Sequence, residues 1–181
     1  MGLSSWLDDG LLGLAVAHRT DWATGSAQAL MEIGTSAMAL ALVALLAVGV
    51  VVARSAYRPA GAVLLAVVAA TAAAAVLKHV FDRARPPADL ALVHLGGTSM
   101  PSTYAAATAA AAAAVSVAMS SVATRYRVLI ATALAAGTVG IGCCLVYLGV
   151  HWPTDVLAGW ALGIAVGSGA GVLSHLVCQP R

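Results

Sequence analysis

Long apolar stretches separated by short polar breaks constrain the fold of this chain more than any other feature. Each of five stretches has the roughly 20 apolar residues that an α-helix needs to cross the hydrocarbon core of a bilayer. They are Thr35–Ala53, Pro59–Leu77, Tyr104–Val122, Val128–Val150 and Val156–Val177. The sequence therefore predicts an all-α integral membrane helical bundle with about five transmembrane helices.

The composition indicates that lipid, rather than water, surrounds most of the folded surface. Charged residues make up only 9% of the chain and hydrophobic residues 61%, whereas a soluble domain carries about 25% charged residues. The net charge of +2, without a basic tract, argues against nucleic-acid binding. The three cysteines lie in apolar runs without His or acidic residues at ligand spacing, so we expect neither a disulfide nor a metal site.

The N-terminal 34 residues differ from the rest of the chain. The segment Leu3–Val16 is apolar but short and contains Asp8 and Asp9, which predicts an interfacial amphipathic helix, with a partial sixth span as the alternative. It lacks the basic head of a secretory signal, so we expect it to be retained. No internal repeat is evident, and residues 1–181 are predicted to form a single membrane-embedded domain, with an interfacial segment at 1–34 and the bundle at 35–181.

The distribution of charge predicts the orientation in the membrane. If the spans are as predicted, one face carries only basic residues: Arg54, Arg58, Arg125, Arg127 and Arg181. Every acidic residue falls on the opposite face. Because basic loops stay cytoplasmic, we expect a multi-pass protein of the plasma (inner) membrane whose other loops face outward.

The first of these outward loops contains two cations at helical spacing. If the second span continued past the interface, Lys78 and Arg85 would lie two turns apart on one helix face, and Pro86 and Pro87 would then end the helix. A Lys and an Arg fixed side by side suit a phosphate group. The alternative is that both are helix-end residues whose charged groups reach the interface.

Two further loop–helix junctions carry polar residues that burial in lipid does not explain. Pro101-Ser102-Thr103 opens the third span, where Ser102 predicts a helix cap or, through the unpaired N–H groups, an anion site. His151 and Asp155 lie four residues apart at the start of the fifth span. There Asp155 could fix the tautomer of His151 and leave the other ring nitrogen free to attack.

Together these segments resemble the type 2 phosphatidic acid phosphatase family, which also includes bacterial acid phosphatases and vanadium haloperoxidases. The family pattern is Lys, six residues, Arg-Pro; then Pro-Ser-Gly-His; then Ser-Arg, five residues, His, three residues, Asp. The chain matches the first motif in full, the start of the second and the end of the third. The resemblance extends over roughly 78–160.

The resemblance implies a role for each matched residue. The implied phosphate-binding residues are Lys78, Arg85, Ser102 and, in place of the motif glycine, Thr103. His151 would be the nucleophile that forms a phospho-histidine intermediate, and Asp155 would orient it. No metal or other cofactor is implied.

Two roles in the family pattern have no matching residue in this chain. Tyr104 replaces the histidine that protonates the leaving group, and Leu145 replaces a phosphate-binding arginine. A positioned general acid contributes about 10²–10⁴-fold, and Tyr104, the remaining candidate, is a weak acid because the ordinary pKa of tyrosine is about 10. Arg83 is the candidate for supplying part of the missing charge, although its spacing from Arg85 predicts a different helix face.

The predicted function is that of a membrane lipid or polyprenyl phosphate or diphosphate phosphatase whose activity is weakened by these replacements. The alternative is a degenerate relative that binds a phosphorylated lipid, or a partner enzyme of the cell envelope, without efficient turnover. Alanine- and glycine-rich helix faces permit close helix packing, within one chain or between two copies.

Overall fold

The computed structural model describes residues 3–35, 57–119 and 123–176, and every regular element in these ranges is an α-helix. The helices are α1 (Leu3–Ala17), α2 (Asp21–Thr35), α3 (Tyr57–Phe81), α4 (Thr103–Ala118), α5 (Thr124–Tyr147) and α6 (Pro153–Leu176). The predicted all-α fold class is confirmed. Beyond its first residue, the predicted span Thr35–Ala53 lies outside the described residues.

The other four predicted spans correspond to α3–α6. Three segments are long and apolar enough to cross a membrane: Ala60–Phe81, Thr124–Tyr147 and Pro153–Leu173. The fourth, Thr103–Ala118, is apolar but shorter. The protein is therefore an integral membrane helical bundle, as the hydropathy pattern predicted.

The contact between α4 and α6 depends on small residues along both helices. Three glycines of α6 at four-residue intervals, Gly159, Gly163 and Gly167, face the alanine-rich side of α4. A Cβ atom at Gly163 would lie 2.7 Å from the Cβ of Ala109 and 2.9 Å from the backbone nitrogen of Ala110. Because carbon atoms normally stay about 3.5–4.0 Å apart, the two backbones can approach this closely only without a side chain.

Helix α3 packs against the same alanine surface. One buried cluster joins alanines of the two helices: Ala66, Ala70, Ala74, Ala106, Ala110 and Ala114. The prediction that the alanine runs form close-packed helix faces is confirmed. This packing holds the end of α3 and the starts of α4 and α6 at the same end of the bundle.

The N-terminal region forms two helices that pack on the bundle. Helix α1 contacts α5 and α6 and buries Asp8 and Leu12, while Trp6 and Leu14 are exposed. Its predicted position in the membrane interface stays a prediction. Helix α2, which the sequence analysis did not separate from α1, packs against α5 and begins after Thr20, whose hydroxyl accepts a hydrogen bond from a first-turn N–H at 3.3 Å.

Candidate active site

Helix α3 ends at Phe81, four residues before Arg85. It ends there because Asp82 adopts a φ of 40°, in the left-handed region that breaks a right-handed helix. The expectation that Lys78 and Arg85 would lie on one face of a continuing helix, ended by the prolines, is therefore wrong. Lys78 lies in the last turn of α3 and Arg85 in the loop that follows.

The same loop nevertheless brings the two cations together. The Lys78 ammonium donates to the carbonyl oxygens of Thr98 and Ser99, at 2.8 and 3.1 Å. The Arg85 Nε donates to two carbonyl oxygens of residues 96–97, both 3.2 Å away. Its Nη1 donates to a third carbonyl oxygen, that of Val150. Within the described residues, Lys78 therefore uses two of its three donors, and Nη2 of Arg85 has no hydrogen bond. Each cation thus keeps a donor for an anion.

Helix α4 begins with the predicted cap. Ser102 is the N-cap residue, and its hydroxyl accepts a hydrogen bond from the backbone N–H of Ala105 at 3.4 Å. The backbone N–H of Ser102 donates to the carbonyl oxygen of Asp155 at 2.9 Å, which ties the starts of α4 and α6 together. Thr103 is the first helical residue and is half-buried. The unpaired N–H groups and the dipole of this helix start suit an anion.

A tight turn presents His151 just before α6. Gly149 has a φ of +71°, and a Cβ atom there would lie 2.8 Å from the carbonyl oxygen of Leu90, so a side chain does not fit. Arg85 Nη1 donates to the carbonyl oxygen of Val150, the residue before His151, at 2.8 Å. The loop after α3 and the turn before α6 therefore meet at this point.

His151 and Asp155 form a buried pair, with 1% and 0% of their surfaces exposed. The Nδ1 of His151 lies 3.5 Å from Oδ2 of Asp155, longer than an ordinary hydrogen bond, and has no closer partner within the described residues. Such contacts are often long in unliganded sites and shorten when substrate binds. Oδ2 of Asp155 also accepts the backbone N–H of Trp152 at 2.9 Å, which fixes the carboxylate next to the imidazole.

The surroundings of His151 keep its imidazole neutral. Burial lowers the pKa of His151; the carboxylate of Asp155 opposes this change, and the positive charges of Arg85 and Lys78 reinforce it. A neutral imidazole has a nitrogen lone pair with which it can attack an electrophile. The geometry agrees for Arg85, which donates to the carbonyl oxygen of Val150, the residue before His151.

Arg83 contacts carboxylates instead of adding a third cation to the pair of Lys78 and Arg85. Its Nη1 donates to Asp155 Oδ1 at 2.8 Å, and its Nη2 pairs with Asp8 of α1. Burial lowers the pKa of Arg83, but its contacts with Asp8 and Asp155 outweigh burial and raise the pKa overall. The suggestion that Arg83 replaces the missing phosphate-binding charge is therefore wrong.

Asp8 was not predicted to belong to this site. It is 1% exposed and accepts hydrogen bonds from the backbone and the hydroxyl of Thr154, at 2.9 and 2.7 Å. The available signal was a carboxylate within an apolar segment, because such residues in membrane proteins almost always have a partner. The sequence does not reveal which residue that partner is.

Comparison with known protein families decides how this arrangement is classified. The model of the PAP2 superfamily matches residues 59–175, which is more than half of the chain. This chain belongs to the PAP2 superfamily. The match includes all three motif segments and agrees with the resemblance to type 2 phosphatidic acid phosphatases. Family membership supports the interpretation of the protein as a hydrolase.

Two solved structures share the PAP2 fold of this chain. A transmembrane PAP2-type phosphatidylglycerolphosphate phosphatase from Bacillus subtilis has a TM-score of 0.86 and 24% identity, covering 100% of this chain and 90% of its own. LpxE of Aquifex aeolicus has a TM-score of 0.74 and 24% identity, covering 97% of this chain and 99% of its own. No curated protein sequence matches significantly. At this level of identity the two structures show the fold.

Two of the residues that differ from the PAP2 motifs are neighbours in space. Tyr104 and Leu145 line one cavity of about 80 Å³ between α2, α4 and α5. Leu145 is 3% exposed and packs within a hydrophobic cluster, so its position offers no cation. Burial lowers the pKa of Arg85, whereas the negative charges that Asp155 and Tyr104 can carry raise it. Tyr104 thus lies in the first turn of α4, next to Thr103 and beside this cavity.

Proposed function

We propose that this protein is a phosphatase of phosphorylated membrane lipids, among them polyprenyl phosphates and diphosphates, with His151 as the nucleophile. The main support is the convergence of Lys78, Arg85, and the buried pair of His151 and Asp155 at one end of the bundle. Membership of the PAP2 superfamily independently supports a phosphatase.

In the proposed reaction, Nε2 of His151 attacks the terminal phosphorus, an N–P bond forms, and the bond from phosphorus to the leaving oxygen breaks. A lipid diphosphate then releases the lipid monophosphate, and a lipid monophosphate releases an alkoxide that Tyr104 would protonate. Asp155 would hold the ring through Nδ1 and stabilise the positive charge that develops on it. Lys78 and Arg85 would bind the non-bridging oxygens, together with Ser102, Thr103 and the adjoining start of α4. Water then hydrolyses the phospho-histidine and releases inorganic phosphate.

The replacement at Tyr104 bears on the choice of substrate. An alkoxide leaving group needs a proton, whereas the monophosphate released from a lipid diphosphate is already a stable anion. Because a tyrosine is a weak acid and would donate a proton poorly to an alkoxide, we propose a preference for lipid diphosphates over lipid monophosphates. Turnover of a lipid diphosphate and the matching monophosphate by the purified protein measures this, and faster turnover of the monophosphate would contradict it.

The lipid would enter the site sideways from the bilayer, at the outer face of the plasma membrane. The cavity beside Tyr104 is lined largely by apolar residues of α2, α4 and α5, including Leu30 and Ile141, which suits the first carbons of a lipid chain. The outward orientation rests on the basic residues of the opposite loops.

A second candidate function is the binding of a phosphorylated lipid without efficient turnover. The burial of Leu145 in the hydrophobic cluster favours it, because the site then lacks one phosphate-binding cation. Removing one electrostatic donor costs about 10²–10³-fold in rate, while the cations that remain could still bind the phosphate.

The experiment that separates the two functions is phosphate release from lipid phosphates and diphosphates by protein purified in detergent. His151→Ala should abolish turnover if the protein is a phosphatase, and the matched control His79→Ala, at an exposed histidine next to Lys78, should leave it unchanged. Saturable lipid-phosphate binding that Arg85→Ala weakens, without turnover in the wild type, would instead support the binding function. Turnover that survives His151→Ala would refute the nucleophile assignment.

A further inference from the structure

We infer that Arg83, anchored by Asp8 of helix α1, is a positioning residue that holds the carboxylate of Asp155 in place to orient His151. The inference rests on the proposed function, because it assigns a role to residues that do not contact the phosphate. It also gives the N-terminal helix a part in the active site that the three family motifs do not include.

The contacts of Arg83 show why it can act only through another residue. One guanidinium nitrogen donates to Asp155 Oδ1 at 2.8 Å and to the hydroxyl of Thr154 at 2.6 Å, and the other pairs with Asp8. The ring of Trp152 lies beneath the guanidinium, 5.4 Å from Cζ to the ring centroid. A planar guanidinium held on several sides has little freedom to turn toward a substrate.

Asp8 holds the far side of this network. Its carboxylate is 1% exposed and pairs with Arg83 while accepting both the N–H and the hydroxyl of Thr154. Burial of a carboxylate is unfavourable unless it is paired and hydrogen-bonded. The network therefore fixes α1 against the start of α6, one residue from Asp155.

The effect on His151 follows from the different partners of the two Asp155 carboxylate oxygens. Oδ1 is held by Arg83, while Oδ2 faces Nδ1 of His151 at 3.5 Å and accepts the N–H of Trp152. Without Arg83, the carboxylate could rotate away from the imidazole, and its charge would no longer be balanced. The tautomer and direction of His151 would then be less well defined.

Enzyme kinetics on lipid phosphates provide the first test. Arg83→Gln should lower kcat about 10- to 100-fold, like the loss of a residue that orients a metal-binding histidine, and leave KM within about twofold. Arg83→Lys should recover part of the loss. Asp8→Asn should lower kcat by roughly 10-fold or less, and the double variant should be no worse than Arg83→Gln because the two residues act as one unit.

The matched controls are Asp9→Asn, next to Asp8 but exposed, and Arg125→Gln at the start of α5. Both should keep wild-type kcat and KM. A folded Arg83→Gln protein with wild-type kcat would overturn the inference. So would a raised KM with unchanged kcat, which would make Arg83 a phosphate ligand, or independent, multiplicative effects of the two changes.

Titration of His151 by NMR, in protein labelled at histidine and assigned with His151→Ala, tests the inference without turnover. The charged groups around the imidazole are Asp155, Arg85 and Lys78, with Arg83 behind Asp155. In Arg83→Gln the pKa of His151 should fall, because a carboxylate that has turned away from the ring no longer stabilises the imidazolium; Arg125→Gln should leave it unchanged. An unchanged or raised pKa in folded Arg83→Gln would overturn the inference, whereas absence of wild-type turnover would refute the proposed phosphatase alone.

Discussion

Substitution of Gly163 by alanine is the sharpest test of how the bundle positions its site. The new Cβ atom would lie 2.7 Å from the Cβ of Ala109 and 2.9 Å from the nitrogen of Ala110. Both contacts involve α4, whose N-cap is the proposed phosphate-binding residue Ser102, while Gly163 belongs to α6, which carries Asp155. The substitution therefore separates two helices that both contribute to the site.

The geometry also sets the expected effect of the substitution on stability and on rate. Carbon atoms in contact stay about 3.5–4.0 Å apart, so the helices must separate by about 1 Å. Overpacking of this kind costs about 1–3 kcal/mol, while alanine in place of a helical glycine contributes about 0.5–1 kcal/mol in the opposite direction. Misplacement of reacting groups by about 1 Å can lower the rate about 10²-fold.

Gly169→Ala is the matched control, because it makes the same change in the same helix with nothing within 4 Å of the new Cβ. It should be slightly stabilising and leave activity unchanged. Thermal unfolding in detergent should place Gly163→Ala below Gly169→Ala by roughly 2–12 °C, at about 2–4 °C per kcal/mol. If the two variants unfolded at the same temperature with equal activity, the close approach of α4 and α6 would not position the site.

Two further predictions concern the chemistry at His151 and Tyr104. The acid limb of the pH profile of kcat/KM should lie below pH about 6.5, the ordinary pKa of histidine, because burial lowers the pKa of His151 and only the neutral ring attacks. In Asp155→Asn the acid limb of the residual activity should move to still lower pH, since Asp155 raises the pKa of His151. A limb above pH 6.5 in the wild type would contradict this. Tyr104→His should raise turnover of lipid monophosphates by up to about 10²-fold through general acid catalysis and change that of diphosphates little, whereas equal effects on both would argue against the proposed preference.

Much of the fold could be predicted because a membrane-spanning helix is specified by consecutive residues. Each span is a continuous apolar stretch of sufficient length, so four predicted spans coincide with α3–α6 within the described residues. The alanine runs also predicted close packing correctly. The end of α3 could not be predicted, because it depends on the backbone of Asp82 rather than on the prolines that follow. Helix α2 was missed because its 15 residues are too few and too polar to form an apolar span, although their pattern is amphipathic.

Some features of the candidate site could likewise be predicted from the sequence, and others could not. The sequence by itself predicted which residues would bind and attack a phosphate, from Lys78 and Arg85 to His151 and Asp155, because their order and spacing match a family motif. Only the tertiary structure decided how Arg83 is used and that Asp8, 75 residues earlier, belongs to the same network. A guanidinium can pair with any anion it meets, and which anion it meets is set by helix packing rather than by its neighbours in sequence.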